Sequence, residues 1–92
     1  MKAVFTIQYL SGESETVTAS TPEYVRWERK TGLKVDQMEG NIGLDDLLFL
    51  AYTAKKREQA GQAIKPYEIW CDTVDQVKTD SVENPKATPS EA

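Results

Sequence analysis

Few residues in this chain have side chains suited to catalysis, because it contains no histidine and one cysteine among 92 residues. Histidine is the commonest general base, and histidine and cysteine are the usual zinc ligands. The sequence also lacks a glycine-rich phosphate loop and a Ser-His-Asp set. We therefore expect no catalytic residue, no cofactor and no metal site.

Two groups of charged residues remain as candidates for chemistry. Asp45 and Asp46 are adjacent near the start of a predicted helix, which leaves a carboxylate-only enzyme formally possible. Lys55, Lys56 and Arg57 form a basic cluster near the end of the same helix. Acids at the start and bases at the end both interact favourably with the helix dipole. We prefer this interpretation to a catalytic pair and an anion site, and expect a protein that is not an enzyme.

The charge balance and the N-terminal segment exclude further classes. With 15 acidic and 11 basic residues the formal charge is −4, whereas nucleic-acid binding requires a basic surface. Cys71 cannot form an intrachain disulfide, which favours a reducing compartment. The start of the chain does not resemble a signal peptide, and its apolar clusters are too short to cross a membrane. We expect a cytoplasmic protein that binds neither nucleic acid nor membrane.

The element that must position these residues is a central helix around Leu44–Arg57. Leucines and alanines recur there at helical spacing and predict one buried face with Leu48 at its centre. We predict that Asn41 caps this helix and that it ends near Ala60. The buried face comprises Leu44, Leu47, Leu48, Ala51 and Ala54, and the residues Phe49, Leu50 and Tyr52 widen it.

A β-hairpin and a short helix are predicted before this central helix. Alternating apolar residues at 2–10 and 15–19 indicate two strands joined by the turn residues 11–14. The following helix has Ser20 or Thr21 as its N-cap and ends at Gly32. Its predicted buried residues are Tyr24, Val25 and Trp27. The segment 34–43 is predicted to be a loop with Val35 or Ile42 directed inward.

The pattern after the central helix predicts a last helix and a tail. Pro66 opens an amphipathic helix in which Tyr67, Trp70, Val74 and Val77 share one face and Cys71 is partly buried. Residues 78–92 are polar and contain two prolines, which predicts a flexible C-terminal tail. The predicted fold class is α+β, with one domain at 1–77. It consists of an N-terminal antiparallel β-hairpin packed on about three α-helices.

Three stretches of the chain carry a resemblance to a known family. They are Thr-Pro-Glu-Tyr-Val-Arg-Trp-Glu-Arg-Lys-Thr-Gly (21–32), Leu-Phe-Leu-Ala-Tyr-Thr-Ala-Lys-Lys-Arg (48–57) and Tyr-Glu-Ile-Trp-Cys-Asp-Thr-Val-Asp-Gln-Val (67–77). Together with the preceding hairpin, they resemble the small tail assembly chaperones of long-tailed bacteriophages, particularly phages of actinobacteria. The resemblance covers roughly residues 1–77.

The resemblance implies a non-enzymatic assembly factor in the cytoplasm of the host cell. Proteins of this family bind the phage tape measure protein and help to recruit tail tube subunits, and self-association is a further expectation. Two alternatives remain from the sequence. One is a small structural virion protein, such as a head–tail joining or capsid-decorating protein, and the other is a host-directed phage inhibitor.

A chaperone requires exposed apolar surface, and aromatic side chains are its best candidates. The residues considered for protein binding are Trp27, Phe49, Tyr52, Tyr67 and Trp70. For Trp27 and Trp70, packing between hairpin and helices is the competing and simpler interpretation. Phe49 and Tyr52 lie off the main leucine stripe and are expected to reach the surface. Two other interpretations explain them equally well: they form the second side of a helix that is covered by its neighbours, or they form a self-association face.

Overall fold

The computed structural model describes residues 2–80, which form an α+β fold built from a three-stranded antiparallel sheet and three α-helices. In chain order its elements are β1 (Ala3–Tyr9), β2 (Ser14–Ala19), α1 (Thr21–Thr31), a 3₁₀ turn (Val35–Gln37), α2 (Leu44–Glu58), α3 (Tyr67–Cys71) and β3 (Val74–Asp80). The strand order β2-β1-β3 places β1 in the centre of the sheet.

The predicted hairpin is confirmed by β1 and β2. They pair antiparallel with Phe5 opposite Val17 and Ala3 opposite Ala19, so the apolar residues of both strands share one face. That face is buried against the helices, whereas the residues between them along each strand are more exposed. The hairpin therefore supplies one wall of the core.

The last helix is shorter than the sequence pattern predicts. Helix α3 ends at Cys71, and Val74 and Val77 belong to β3, where Val77 pairs with Ile7 of β1. The side chain and the backbone N–H of Thr73 both donate hydrogen bonds to the carbonyl of Trp70, at 2.6 and 2.9 Å, where the helix ends. β-branched residues favour an extended backbone, and the free edge of β1 provides hydrogen-bond partners that an isolated hairpin lacks.

Strand β3 also extends past the predicted domain boundary. The predicted tail starts at Lys78, but residues 78–80 are part of β3. The remainder of the predicted tail, 81–92, lies outside the described residues. The boundary was misplaced because polar residues at the edge of a sheet have the same composition as a solvated tail.

Helix α1 follows the prediction at both ends. Ser20 is the N-cap, and its backbone N–H donates to the carboxylate of Glu23 at 2.8 Å. Gly32 ends the helix with a φ of 78°, the left-handed conformation that glycine adopts without strain. Tyr24 and Trp27 are buried as expected, but Val25 is exposed.

Helix α2 is where predicted, but its buried face is rotated. Leu44 is 64% exposed and Leu48 is only half-buried, whereas Leu50 is 1% exposed. The helix contacts β2, β3, α1 and α3, so its neighbours rather than its leucine spacing decide which side chains are covered. The predicted cap is also wrong, because Gly43 precedes the helix and its N–H donates to Asp46 at 2.8 Å.

The loop before α2 contains the 3₁₀ turn and is only partly irregular. Of the two residues considered for burial, Val35 packs against the core and Ile42 is 36% exposed. Asn41, which the sequence suggested as a cap, instead donates to the carbonyl of Gln37 at 2.7 Å.

The burial of Leu50 gives a direct test of the α2 orientation. Leu50→Ala should lower the free energy of unfolding by about 2–5 kcal/mol because it leaves a cavity in the core. Leu44→Ala, in the same helix, should change it by less than about 0.5 kcal/mol because Leu44 is exposed. Urea denaturation of both variants measures the difference, and equal losses would contradict this orientation.

Candidate protein-binding site

Of the five predicted binding residues, Trp27 and Phe49 lie between α1 and α2. The Trp27 side chain is fully buried, and its Nε1–H donates to Asp46 Oδ1 at 3.0 Å. Phe49 is half-buried, and the ammonium of Lys30 lies 5.0 Å from the centre of its ring. Trp27 thus fills the core rather than offering a surface to a partner.

The other three predicted residues form one aromatic cluster. The rings of Tyr52 and Trp70 are 5.2 Å apart, as are those of Tyr52 and Tyr67. Tyr52 and Trp70 are buried, which corrects the expectation that Tyr52 reaches the surface. The Tyr52 hydroxyl donates to the carbonyl of Lys65 at 2.6 Å and so fixes the loop that leads into α3. Tyr67 alone of the three remains half-exposed.

The two adjacent aspartates bind different partners. Asp46 accepts hydrogen bonds from Trp27 and from the backbone of Gly43. Asp45 accepts from the Tyr67 hydroxyl at 2.7 Å and pairs with Lys30 at 3.2 Å. The hydrogen bond from Tyr67, and then that from Lys30, lowers the pKa of Asp45. Asp46 therefore joins α2 to α1, and Asp45 joins α2 to both α1 and α3.

The basic cluster at the end of α2 also forms hydrogen bonds with other elements of the fold. Arg57 donates to the carboxylate of Glu23 from Nε and from Nη2, each at 2.8 Å. The Nη2 group also donates to the carbonyl of Thr18 and to Ser20 Oγ, both at 3.0 Å. Arg57 therefore joins the end of α2 to the end of β2 and the start of α1.

Glu23 is the buried acid that the sequence did not reveal as such. Its side chain is fully buried, and it accepts hydrogen bonds from Arg57 and from the N–H of Ser20. Desolvation alone would raise the pKa of this carboxyl, but these hydrogen bonds outweigh it and hold the pKa below its usual value. The capping pattern predicts the bond to Ser20. No local signal predicts that Arg57 lies beside it.

A second polar network lies beside the aromatic cluster. The Tyr9 hydroxyl donates to Glu15 Oε2 and accepts a hydrogen bond from Trp70 Nε1 at 3.0 Å. Lys55 Nζ donates to the same Glu15 oxygen at 2.7 Å, and Gln59 Nε2 donates to the other at 3.0 Å. Tyr9, Glu15 and Lys55 thus connect the hairpin, α2 and α3.

The network shifts the ionisation of its members in opposite directions. Burial and the hydrogen bond to Glu15 raise the pKa of Tyr9 to about 12. For Glu15, burial would raise the pKa, but hydrogen bonds from Lys55, Tyr9 and Gln59 outweigh it and lower it. At neutral pH Tyr9 is therefore a neutral donor and Glu15 a carboxylate.

A groove of about 610 Å³ opens above this network. Its floor contains Tyr9, Glu15, Lys55 and Trp70. One wall is the β1–β2 turn with Leu10 and Glu13, and the facing walls are the loop before α3 and the α3–β3 connection. These walls contain the residues Ser11, Ala63, Ile64, Lys65, Asp72 and Thr73.

The groove combines apolar side chains with charged and polar groups. Leu10 is 68% exposed on its rim, and Ile64 is half-buried opposite. The charged groups on the floor, Lys55 and Glu15, neutralise each other and are hydrogen-bonded. Across residues 2–80 no cluster of histidine, cysteine, aspartate and glutamate could hold a metal ion. The groove therefore offers an apolar edge and polar groups with fixed positions.

The sequence pattern did not indicate this site. Only Trp70 of the five predicted residues lines it, and Trp70 contributes from the floor. Leu10 carried a weak signal as an apolar residue directly before a turn. The chain matches no protein-family model, no curated protein and no solved structure. None of the helices in the described part is long and apolar enough to cross a membrane.

The Glu23–Arg57 pair gives a test of its structural importance. Arg57→Ala should lower the free energy of unfolding by about 3–5 kcal/mol because it leaves a buried carboxylate without its main partner. Arg29→Ala, at an exposed position near the end of α1, is the control and should change it by less than about 0.5 kcal/mol. Chemical denaturation at pH 7 measures both.

The free energy of unfolding measured at acidic pH provides a second test of the Glu23–Arg57 pair. Because folding lowers the pKa of Glu23, its contribution is present above the unfolded value of about 4.5 and is lost as the pH falls below it. Arg57→Ala should therefore flatten the fall in stability below about pH 4.5. An unchanged slope would contradict the role of this pair.

The raised pKa of Tyr9 predicts how the stability of the protein changes at alkaline pH. Because folding raises its pKa from 10.0 to about 12, the protein should lose stability as the pH rises between these values. Tyr9→Phe should reduce this alkaline loss and cost about 1–3 kcal/mol at pH 7, since Trp70 and Glu15 each lose a partner. Unfolding measured at pH 7 to 12 distinguishes the variant from the wild type, and parallel curves would contradict the assignment.

Proposed function

We propose that this protein is a non-enzymatic phage tail assembly chaperone that binds the tape measure protein and assists tail tube assembly in the host cytoplasm. The observation that carries the proposal is the groove beside β1 and α3. It has a preformed shape and an exposed leucine on its rim, and the two charged groups on its floor, Lys55 and Glu15, neutralise each other. Such a surface is suited to part of another polypeptide.

The resemblance of residues 1–77 to small tail assembly chaperones supplies the identity of the partner. Two further properties are compatible with it. Lys55 and Arg57 of α2 are each paired with a carboxylate of this chain, Glu15 and Glu23, which makes them less available to nucleic acid. The formal charge of −4 also disfavours binding to nucleic acid.

The test is co-expression with the tape measure protein encoded in the same phage genome. We expect the two proteins to copurify, the tape measure protein to become more soluble, and this chain to be absent from purified virions. An unrelated coiled-coil protein of similar length serves as the control bait.

The alternative of a structural virion protein predicts the opposite pattern. Failure to bind the tape measure protein, together with presence of the chain in purified virions, would overturn the chaperone proposal in favour of a head–tail joining or capsid-decorating role.

A further inference from the structure

The walls of the groove are held in place before any partner binds. Leu10 N–H donates to the carbonyl of Thr73 at 2.9 Å, which ties the β1–β2 turn to the α3–β3 connection. The turn itself is closed by the bond from Tyr9 N–H to the carbonyl of Glu13 at 2.9 Å. The third wall is fixed by the Tyr52 hydroxyl on the carbonyl of Lys65. A rigid groove binds without paying for the ordering of its own backbone.

The rim combines apolar surface with an excess of acid. Leu10 is 68% exposed, a large value for a leucine beside a concave surface. Glu13 and Asp72 stand on the rim, and neither forms an ion pair with any of residues 2–80. Lys65 is the base on the same rim, so acids exceed bases there by one.

The charged groups on the groove floor do not offset the acidic excess at the rim. Lys55 and Glu15 form an ion pair at 2.7 Å, and their side chains are only 15% and 25% exposed. Trp70 Nε1–H donates to the Tyr9 hydroxyl, which itself donates to Glu15. A ligand therefore meets apolar side chains and uncompensated carboxylates at the rim.

We infer that the groove binds a polypeptide segment in which a large apolar side chain is adjacent to a lysine or arginine. The apolar side chain packs on Leu10 and Ile64, and the basic group lies between Glu13 and Asp72. The inference rests on the proposed function, since it names the chemistry of the segment that a client protein presents. Electrostatic complementarity of this kind contributes more to specificity than to affinity.

The two tryptophans provide a built-in control for the test. Trp70 Nε1–H points to Tyr9 on the groove floor, whereas Trp27 Nε1–H is bound to Asp46 between α1 and α2. The full chain, labelled with ¹⁵N, is titrated with a short synthetic peptide made only of leucine and lysine. We expect the indole signal of Trp70 to shift and that of Trp27 to stay in place. A peptide of equal length made of leucine and glutamate should cause no comparable shift.

Matched variants then assign the binding to the rim. Leu10→Glu and Glu13→Lys should each weaken binding of the leucine–lysine peptide at least tenfold. Leu44→Glu and Glu39→Lys, at exposed positions outside the groove, should leave it unchanged. An unaltered Trp27 signal shows that each variant is folded.

Several results would overturn the inference. These are equal shifts of both indole signals, equal binding of the acidic peptide, and unchanged binding by the Leu10→Glu variant. Movement of the Trp70 signal on dilution of the protein alone would assign the groove to a second copy of the chain instead. If the Trp70 signal responds to the peptide in a variant that lacks residues 81–92 but not in the full chain, the groove would be assigned to that segment.

The outcome is separable from that of the proposed function. If the peptide binds as expected, but the tape measure protein does not copurify and the chain is present in purified virions, the groove inference stands and the chaperone proposal falls. If the tape measure protein copurifies equally with the Leu10→Glu variant, the chaperone proposal stands and the groove inference falls.

Discussion

Glu23 places a demand on the fold, because a carboxylate without solvent exposure must find donors inside the protein. Removing such a group from water costs several kcal/mol unless charged and neutral hydrogen bonds compensate for it. Arg57 provides two of these bonds and Ser20 a third, while Arg26 lies 3.5 Å away. The end of α2 must therefore stay against the junction of β2 and α1. The Glu23–Arg57 pair thus fixes the C-terminal end of α2 relative to the sheet and α1.

The same corner protects one edge of the sheet. Strand β2 has a free side, and unpaired edges invite association with other strands. At Thr18 the outward N–H donates to the Glu58 carboxylate at 2.9 Å, and the carbonyl accepts from Arg57 at 3.0 Å. Helix α2 thus satisfies the backbone of the edge strand at its end. Strand β3 covers the other side of β1.

The local features of the fold were predictable from sequence, and its long-range contacts were not. Alternation in the hairpin, the start and end of α1, and the existence of α2 all follow from short patterns and are confirmed. The predicted end of α3 is wrong. Val74 and Val77 have the spacing of a helical face, but their β-branched side chains favour a strand, and they belong to β3. The decisive fact was the free edge of β1, which lies about 70 residues earlier in the chain and carries no local signal.

The buried face of α2 was mispredicted for a similar reason. Leucine spacing identifies a face that prefers burial, but a helix with neighbours on three sides buries whichever side chains those neighbours cover. Leu50 is therefore covered and Leu44 is exposed. The candidate site was less predictable than the fold, because the Lys55–Glu15 and Arg57–Glu23 pairs each join residues that are far apart in the chain.

The position of the groove changes what the resemblance can mean. The stretches 21–32, 48–57 and 67–77 supply core residues, among them Trp27, Leu50 and Trp70. Most of the groove rim comes instead from the turn after β1 and the loop before α3, which lie outside these stretches. These three stretches accordingly specify how the helices pack on the sheet. Because the turn after β1 is anchored through its backbone, its exposed side chains can change without disturbing that packing. We expect proteins with this core to differ in partner at positions such as Leu10 and Glu13, while their buried tryptophans stay the same.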